Sequence, residues 1–301
     1  MAGKKDLDFT YTTIDQIFRL SMGENSDFSG AKYDGDFSLT LEEAQKAKHK
    51  FITENLNIHK DSRVLDMGCG WGPFIKYATR ETGANVLGIT LSTGQAAACL
   101  KNGLNVQIRD CRYLKPEDFG FFDAIVSIGS FEHFCSVEDW KNGEQEKIYH
   151  DFFKTVHSLL ADNGKFYLQT MAFGRNMIGY EQFDIHAPKK SAAHICALME
   201  KEFPGSWLPY GDEMIERCAA PYFKLVSKSN GRLDYIETIN QWRKKFRKFN
   251  FKKYALYLSL IPRYLTSKEF RYRVEVFRIS PNKICFEREI MDHFRMVFVK
   301  K

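Results

Sequence analysis

The chain of 301 residues contains no uninterrupted run of about 18 apolar residues, so the sequence predicts no transmembrane helix. Its first residues are polar and charged, which argues against a secretory signal peptide. The seven cysteines are scattered singly, and their odd number without any C-x-x-C pair argues against a disulfide framework. We therefore expect a cytoplasmic protein in a reducing environment, with peripheral membrane contact as a further expectation.

Two common nucleotide-binding signatures are also missing around the main glycine motif, which is Val64-Leu65-Asp66-Met67-Gly68-Cys69-Gly70-Trp71-Gly72. No Gly-Lys-Ser/Thr follows, which excludes a P-loop, and the next apolar run (85–90) ends without the acid that dinucleotide sites use. An apolar run, an acid and three alternating glycines predict a strand that turns tightly into a helix. Glycine lets the backbone lie against a ligand, and the helix N-terminus attracts polar ligand groups. This pattern is typical of S-adenosylmethionine (SAM) binding, here through Asp66, Gly68, Gly70 and Gly72.

The ends of the next two predicted strands carry polar side chains suited to the same ligand. In open α/β sheets, ligands bind beyond the carboxyl ends of the strands. Hydroxyl and amide groups after the second strand replace the missing acid at the ribose, and a carboxylate after the third can accept from an adenine amino group. These candidate cofactor residues are Thr90, Leu91, Ser92, Gln95, Asp110 and Cys111.

A Glu-His pair follows the fourth predicted strand, where the transferred methyl group is expected. Either Glu132 or His133 can serve as a general base. Two alternatives stay open: Glu132 only organises the loop or the methionine end of the cofactor, and His133 is a packed, hydrogen-bonded residue at a helix start. The aromatic faces of Phe131 and Trp140 are expected to support developing positive charge. The sulfonium of SAM needs no metal, so no metal ligands are predicted.

Alternating strand and helix patterns predict an α/β fold with a parallel, doubly wound, seven-stranded sheet. Thr40 and Glu43 predict a capping box at the start of a helix. Residues 1–50 are expected to form an N-terminal helical cap on a methyltransferase domain (51–301), with insertions over the cleft at about 173–208 and 232–285. The predicted strands are at about 63–66, 85–90, 105–109, 122–128, 165–170, 222–227 and 291–300.

The net charge of +6 conceals a strongly basic C-terminal part. Residues 224–301 contain 20 Lys and Arg against 7 Asp and Glu, and the densest basic run, interleaved with Phe, is 243–253. Such a run can lie on an anionic membrane surface. A solvated helix face with inward Phe residues is the equally weighted alternative, and no nucleic acid partner is expected. The oligomeric state is not predicted.

Taken together, these motifs resemble the cyclopropane-fatty-acid synthase and mycolic acid methyltransferase family over nearly the whole chain. The resemblance implies a SAM-dependent enzyme that methylates the double bond of a long acyl chain. Plant benzylisoquinoline N-methyltransferases are similar through the same Glu-His segment. The matching segments are Phe28-Ser29, 39–45, 65–72, 88–92 with Gln95, 131–134, 203–205 with Leu208-Pro209, and Asp234-Tyr235 with Trp242.

The resemblance also implies roles for individual residues. Phe28 and Ser29 match a Tyr-Ser pair that contacts SAM, and Glu132 matches an acid that helps to hold a bicarbonate ion serving as the base. Three other bicarbonate-pocket positions differ here: a Cys is Gly30, a His is Gln169, and a late Tyr falls near Phe277 or Arg278. A glycine cannot supply a thiol, and an amide cannot relay protons as an imidazole does.

The leading hypothesis is therefore methyl or methylene transfer to an apolar, unsaturated lipid, with methylation favoured over bicarbonate-dependent ring closure. One alternative is an N-, O- or C-methyltransferase acting on a small secondary metabolite. Another is a non-catalytic SAM- or lipid-binding protein that kept the fold.

Overall fold

The computed structural model describes residues 15–22, 27–203, 205–268, 270–272, 274 and 280–301. One sheet has the strand order β3-β2-β1-β4-β5-β7-β6. All seven predicted strands are present, so the predicted α/β fold with a seven-stranded sheet is confirmed. The strands are β1 Arg63–Met67, β2 Asn85–Thr90, β3 Val106–Ile108, β4 Phe122–Ile128, β5 Leu160–Phe173, β6 Phe223–Asn230 and β7 Met291–Lys300.

The sheet is mixed: the parallel arrangement predicted from the strand and helix alternation is confirmed for β1 to β5 and does not extend to β7. β1 to β5 pair in parallel, whereas β7 pairs antiparallel with both β5 and β6. The described part of the connection from β6 to β7 (231–290) contains helices, and the connection does not cross to the opposite end of the sheet. β7 therefore begins at the end of the sheet where β6 stops, so β7 runs antiparallel to β6.

Helices cover both faces of the sheet, because alternate residues of a strand point to opposite sides. On β1, Val64 belongs to one apolar cluster with Ile75, whereas Leu65 belongs to the other with Phe153. The helices with both ends in the described ranges are α1 Asp15–Met22, α2 Leu41–Asn55, α3 Pro73–Thr82, α4 Thr93–Lys101, α5 Pro116–Phe119, α6 Val137–Lys141, α7 Gln145–Leu159, α8 Ala192–Glu202, α9 Gly211–Ala219, α10 Arg232–Arg247, α11 Phe251–Thr266 and α12 Pro281–Glu287.

Helix α2 begins where the capping box predicts. Thr40 accepts from the Glu43 N–H at 3.3 Å, and the Glu43 carboxylate accepts from the Thr40 N–H at 2.8 Å. The reciprocal pair satisfies two N–H groups that a helix start would leave free. Residue 50, the predicted end of an N-terminal cap, lies within this helix.

The segments predicted as insertions contain helices: α8 lies within 173–208, and α10, α11 and part of α12 lie within 232–285. Within the described ranges, none of the helices combines the length and apolar character needed to cross a membrane.

Candidate functional site

The glycine loop between β1 and α3 depends on glycine at each of its three positions. Gly68, Gly70 and Gly72 all have positive φ, at 84°, 56° and 74°. A Cβ on Gly68 would lie 2.3 Å from the Cβ of Ser130, whereas a Cβ on Gly70 would meet no atom within 4 Å. The N–H groups of Gly68 and Cys69 both donate to the Ile89 carbonyl at 2.9 Å. The loop is thus fixed to β2 and β4, with open space beside Gly70.

Asp66 is a buried carboxyl group beneath this loop. Its Oδ1 atom has no hydrogen-bond partner among the described residues. Burial, together with Cys99 and Asp27, raises the pKa of Asp66 to about 8. An unsatisfied buried acceptor is costly, so the site is suited to a ligand that donates a hydrogen bond or carries positive charge.

The predicted ribose segment forms a compact turn at the end of β2. Thr90 Oγ1 donates to Gln95 Oε1 at 2.9 Å, and Ser92 Oγ accepts from the Gln95 N–H at 3.3 Å as the N-cap of α4. The Leu91 side chain is exposed. The turn therefore brings these four predicted residues together.

The third strand end places Asp110 and Cys111 next to the loop but in different environments. Asp110 forms an ion pair with Arg112, with 2.6 Å between Oδ2 and Nη2, and this pairing lowers its pKa. Burial raises the pKa of the Cys111 thiol to about 12, and the thiol lies beside the Gly68 main chain. Arg112 therefore contacts the same carboxylate that would accept from an adenine amino group.

Phe28 lies among aromatic rings next to the glycine loop. Its ring centroid is 5.1 Å from that of Trp71 in the loop and 6.0 Å from that of Trp242 on α10. The Trp242 ring in turn is 6.1 Å from Tyr235. These rings form a continuous aromatic wall from the glycine loop to α10. Sequence reasoning matched Tyr235 and Trp242 to the family but gave neither a role.

Ser29 is held by a buried polar cluster. Its hydroxyl donates to Asp27 Oδ1 at 2.6 Å and accepts from Lys48 Nζ at 2.5 Å. Lys48 also donates to Asp27 Oδ2 at 2.7 Å and to Gln45 Oε1 at 2.6 Å. Lys48 and His49 hold the pKa of Asp27 well below its usual range, despite burial. The cluster fixes residues 27–29 on α2, and the apolar pattern of that helix did not indicate it.

Glu132 lies at the end of β4 and is 7% exposed. Its Oε1 accepts from the Met171 N–H at 2.8 Å. Burial raises the pKa of Glu132 to about 8, although this hydrogen bond opposes the shift. No ion pair to Glu132 occurs among the described residues. Glu132 and Asp66 are therefore two unpaired buried acids at the ends of neighbouring strands.

His133 faces a different environment from Glu132, although the two residues are adjacent. Its side chain is exposed, and Nδ1 lies 2.7 Å from the Ser206 hydroxyl. The pair is therefore not a joined acid-base couple in this structure.

The position of Gly30 is closed by two side chains. A Cβ there would lie 2.7 Å from Tyr235 Cδ2 and 3.0 Å from His293 Cε1. The His293 ring is buried, and its Nδ1 has no hydrogen-bond partner among the described residues. Burial, together with Arg295 and Lys48, holds the pKa of His293 well below its usual range. Sequence reasoning missed His293, because a lone histidine in a strand carries no motif.

Gln169 acts as a structural clamp in this region. Its Nε2 donates to the Gly30 carbonyl at 3.0 Å, and its Oε1 accepts from the Tyr167 hydroxyl at 2.9 Å. Its cross-strand partner Arg295 donates to the Ala31 carbonyl. The position at which the family has a late Tyr, near residues 277–278, lies outside the described residues.

The predicted charge-stabilising role is wrong for Phe131. Its ring is fully buried within the core, with centroids 4.5 Å from Tyr149 and 4.9 Å from Phe152. Trp140 stacks on Trp207 at 4.4 Å. The apolar residues after β4 build the core, and the aromatic wall of the site comes from other segments.

The site fits SAM on the strength of two observations. The loop offers open space beside Gly70, and Asp66 and Glu132 are buried carboxyl groups that lack a positive partner. SAM carries an ammonium and a sulfonium group, which can supply the missing positive charge. Among the described residues, no group of three or more His, Cys, Asp and Glu side chains could hold a metal ion.

The strand order and the strand-end site define the fold of class I SAM-dependent methyltransferases. Residues 3–278 match the family described as "Mycolic acid cyclopropane synthetase". The chain belongs to this family and is a SAM-dependent methyltransferase. The expected family, cofactor and enzyme class are confirmed.

Individual relatives agree with this assignment. The chain is 31% identical to cyclopropane mycolic acid synthase 3 of Mycobacterium tuberculosis over 236 residues, which cover 77% of this chain and 78% of that protein. It is similar to the structure of the cyclopropane synthase MmaA2 from Mycobacterium tuberculosis, with a TM-score of 0.74, 25% identity and 98% coverage of both chains. Coclaurine N-methyltransferase shares the fold, with a TM-score of 0.72, 16% identity, and coverage of 98% of this chain and 82% of that chain.

Proposed function

We propose that this protein transfers a methyl group from SAM to the double bond of an apolar lipid chain, without bicarbonate-dependent ring closure. The absence of ring closure is supported by one observation, which is that Tyr235 and His293 occupy the space beside Gly30. The similarity to a cyclopropane mycolic acid synthase supports a lipid acceptor. The fold does not distinguish a lipid acceptor from a small-molecule acceptor, because coclaurine N-methyltransferase matches it nearly as well.

The cofactor would be held by the main chain of the glycine loop and by Asp66. The turn of Thr90, Leu91, Ser92 and Gln95 would hold the ribose, and Asp110 and Cys111 would contact the adenine. Phe28 and Ser29 would cover the site from the segment that Lys48 fixes. When bound, SAM supplies an electrophilic methyl group. This chain's residues orient it and exclude water, and in-line placement of the methyl group and the acceptor provides much of the rate enhancement.

Glu132 is the proposed base. A carboxylate beside the reacting chain stabilises positive charge on that chain and can accept the proton that the methylated carbon skeleton loses. Its raised pKa, about 8, leaves part of the group ionised at neutral and mildly alkaline pH. His133 has a secondary role in this proposal, because its exposed ring bonds to Ser206.

The resemblance implies that ring closure uses a bound bicarbonate as the base, and several features here oppose such a pocket. The space that a side chain at residue 30 would need is occupied, and the Gln169 amide is engaged by Gly30 and Tyr167. His293 brings an imidazole to the same region from β7, but its low pKa keeps it neutral. A neutral imidazole offers an anion no charge attraction.

The domain arrangement and the membrane contact complete the proposal. Residues up to about 50 would cap the site, the segments 173–208 and 232–285 would cover the cleft, and the basic run 243–253 would bring the enzyme to an anionic membrane. The only acid that pairs with this run among the described residues is Glu42, through Lys245. Most of its charge therefore remains available for lipid headgroups.

The test is methyl transfer by the purified protein with SAM and a panel of acceptors. Unsaturated phospholipid vesicles and aromatic amines are supplied in parallel, and products are analysed by mass spectrometry and NMR. We expect lipid that gains one CH₂ unit without cyclopropane proton signals. Cyclopropane signals would refute the absence of ring closure, and methylation of amines alone would favour the small-metabolite alternative. Tight S-adenosylhomocysteine binding without any transfer would favour a non-catalytic protein.

A further inference from the structure

Among the C-terminal helices whose bounds are given above, α11 is the least covered. Among its described side chains only Lys253 is buried, and Leu256 and Leu260 are half-buried toward the protein. The rest of the helix is exposed, although most of its residues are apolar. Globular proteins rarely expose a contiguous apolar face without a partner for it.

Five of the exposed apolar residues lie on one side of the helix. Phe251, Tyr254, Leu258, Ile261 and Leu265 follow the i, i+3, i+4 spacing of a single helical face. Phe251 is 77% exposed, Leu258 66% and Leu265 67%. We call these five residues the apolar face of α11. Phe249, just before the helix, extends it, since its ring stacks on Tyr254 at 5.1 Å.

A polar stripe runs along one flank of the helix, between the apolar face and the side that packs on the protein. Lys252, Ser259, Arg263 and Thr266 follow the same helical spacing, rotated toward one flank. The charge around the helix has one sign, because residues 238–268 contain nine basic residues (from Arg243 onward) and no acid. An apolar face with a basic flank is the pattern of helices that lie in the interface of an anionic bilayer.

The orientation of α11 is fixed from inside the protein. Lys253 Nζ donates to the carbonyls of Phe246 and Lys248, both at 2.7 Å, and so satisfies the C-terminal end of α10. Asn250 caps α11 by accepting from the Lys253 N–H at 3.1 Å, and its Nδ2 donates to the Leu20 carbonyl at 3.1 Å. The turn between α10 and α11 is therefore held by side-chain hydrogen bonds, and the apolar face is presented outward.

Helix α10 connects this surface directly to the candidate site. It carries Tyr235 and Trp242 of the aromatic wall near its beginning and middle, and its last turn carries Lys244, Lys245 and Arg247. Its 16 residues span about 24 Å. A lipid bilayer at α11 would thus lie one helix length from the residues beside Glu132.

We propose that α11 docks the enzyme on an anionic lipid bilayer by inserting its apolar face between the headgroups. This inference rests on the proposed lipid acceptor, since it supplies the route by which an acyl chain reaches the site. A second copy of the chain is the competing occupant. Charge disfavours it, because a symmetric contact would bring two sets of nine basic residues together.

The test measures sedimentation of the full-length protein with vesicles. The vesicles contain phosphatidylcholine alone, or phosphatidylcholine and phosphatidylglycerol in equal parts. We expect binding to the mixed vesicles, weakened by salt, and binding at least about tenfold weaker for the double variant Leu258→Asp/Leu265→Asp. The matched control is Ser259→Asp/Thr266→Asp, which adds the same charge on the polar stripe of the same helix. We expect the control to stay within about threefold of the unmodified protein.

A second readout reports insertion itself. The variant Ile261→Trp places an indole on the apolar face, and its fluorescence should shift to shorter wavelength with mixed vesicles and be quenched by lipids brominated in the acyl chains. All substituted positions are exposed, so an unchanged thermal midpoint is expected and verifies folding.

Three results would overturn the inference. The unmodified protein could fail to sediment with mixed vesicles, the two double variants could lose binding equally, or sedimentation velocity could show a dimer that only Leu258→Asp/Leu265→Asp dissociates. Vesicle binding does not require methyl transfer. Binding without methylation of any lipid would therefore contradict the proposed function and leave the docking role of α11 standing.

Discussion

Replacing Glu132 by Gln should make the protein more stable at alkaline pH and much less active. Gln keeps the size of the side chain and the oxygen that accepts from the Met171 N–H. It removes only the ability to ionise. The substitution therefore separates the charge of Glu132 from its packing.

The magnitude follows from the raised pKa. The difference between the usual 4.5 and about 8, at about 1.4 kcal/mol for each pH unit, corresponds to about 5 kcal/mol. Because the pKa is higher in the folded state, the protonated carboxyl favours folding below about pH 4.5. This stability is lost as the pH rises through about 8. Glu132→Gln should thus match the unmodified protein near pH 4.5 and exceed its free energy of unfolding by several kcal/mol above pH 8.

The assay combines urea unfolding with activity. Unfolding is measured for both proteins at a series of pH values from about 5 to about 9, and the two free energies are subtracted. Methyl transfer should fall by about a hundredfold or more, which is the usual contribution of a positioned base.

Asp66→Asn is the matched control, because burial also raises the pKa of Asp66 to about 8. It should show a similar gain in stability but lose mainly affinity for S-adenosylhomocysteine, measured by calorimetry. Identical unfolding curves for Glu132→Gln and the unmodified protein at every pH would show that Glu132 is not desolvated. Full activity in Glu132→Gln would remove it from the chemistry.

Three further predictions concern the loop and its cover. Gly68→Ala should weaken S-adenosylhomocysteine binding at least about tenfold more than Gly70→Ala, because only its added methyl group would meet a neighbouring side chain, at 2.3 Å; equal losses by calorimetry would contradict this. Asp27→Asn should lower the free energy of unfolding by about 3–5 kcal/mol in urea, since it leaves the buried Lys48 ammonium without its carboxylate, and a loss under about 1 kcal/mol would refute the cluster's role. Gly30→Cys should cost about 1–3 kcal/mol by the same measurement and leave ring closure absent; cyclopropane product from this variant would show that the space can open.

The local parts of the site were predictable from short stretches of sequence. The glycine loop, the turn after β2 and the capping box of α2 each depend on neighbouring residues, because the required backbone angles and caps are set within a few positions. The strand before the loop and its acid, Asp66, were identified for the same reason. Their roles toward the cofactor remain predictions.

The contacts between distant segments were not predictable in the same way. The antiparallel direction of β7 depends on where a connection of about sixty residues returns, which no local pattern records. Lys48 reads as a solvent-exposed lysine in α2, yet it is buried because Asp27 and Ser29 meet it from another segment. The role predicted for Phe131 was wrong because the sequence pattern of an aromatic residue after a strand is the same whether that residue packs in the core or lines a site.

The sequence by itself determined the family and the cofactor, and it predicted where the cofactor binds, since these depend on motifs that are continuous in the chain. It also showed that Gly30 and Gln169 differ from the Cys and His that the family has at these positions. Only the tertiary structure decided what those departures mean. Tyr235 and His293 come from α10 and β7, more than 200 residues further along the chain, and close the space beside Gly30. Folding brings these side chains next to Gly30. Because two atoms cannot occupy the same volume, they exclude a larger side chain there, and a linear sequence does not show this exclusion.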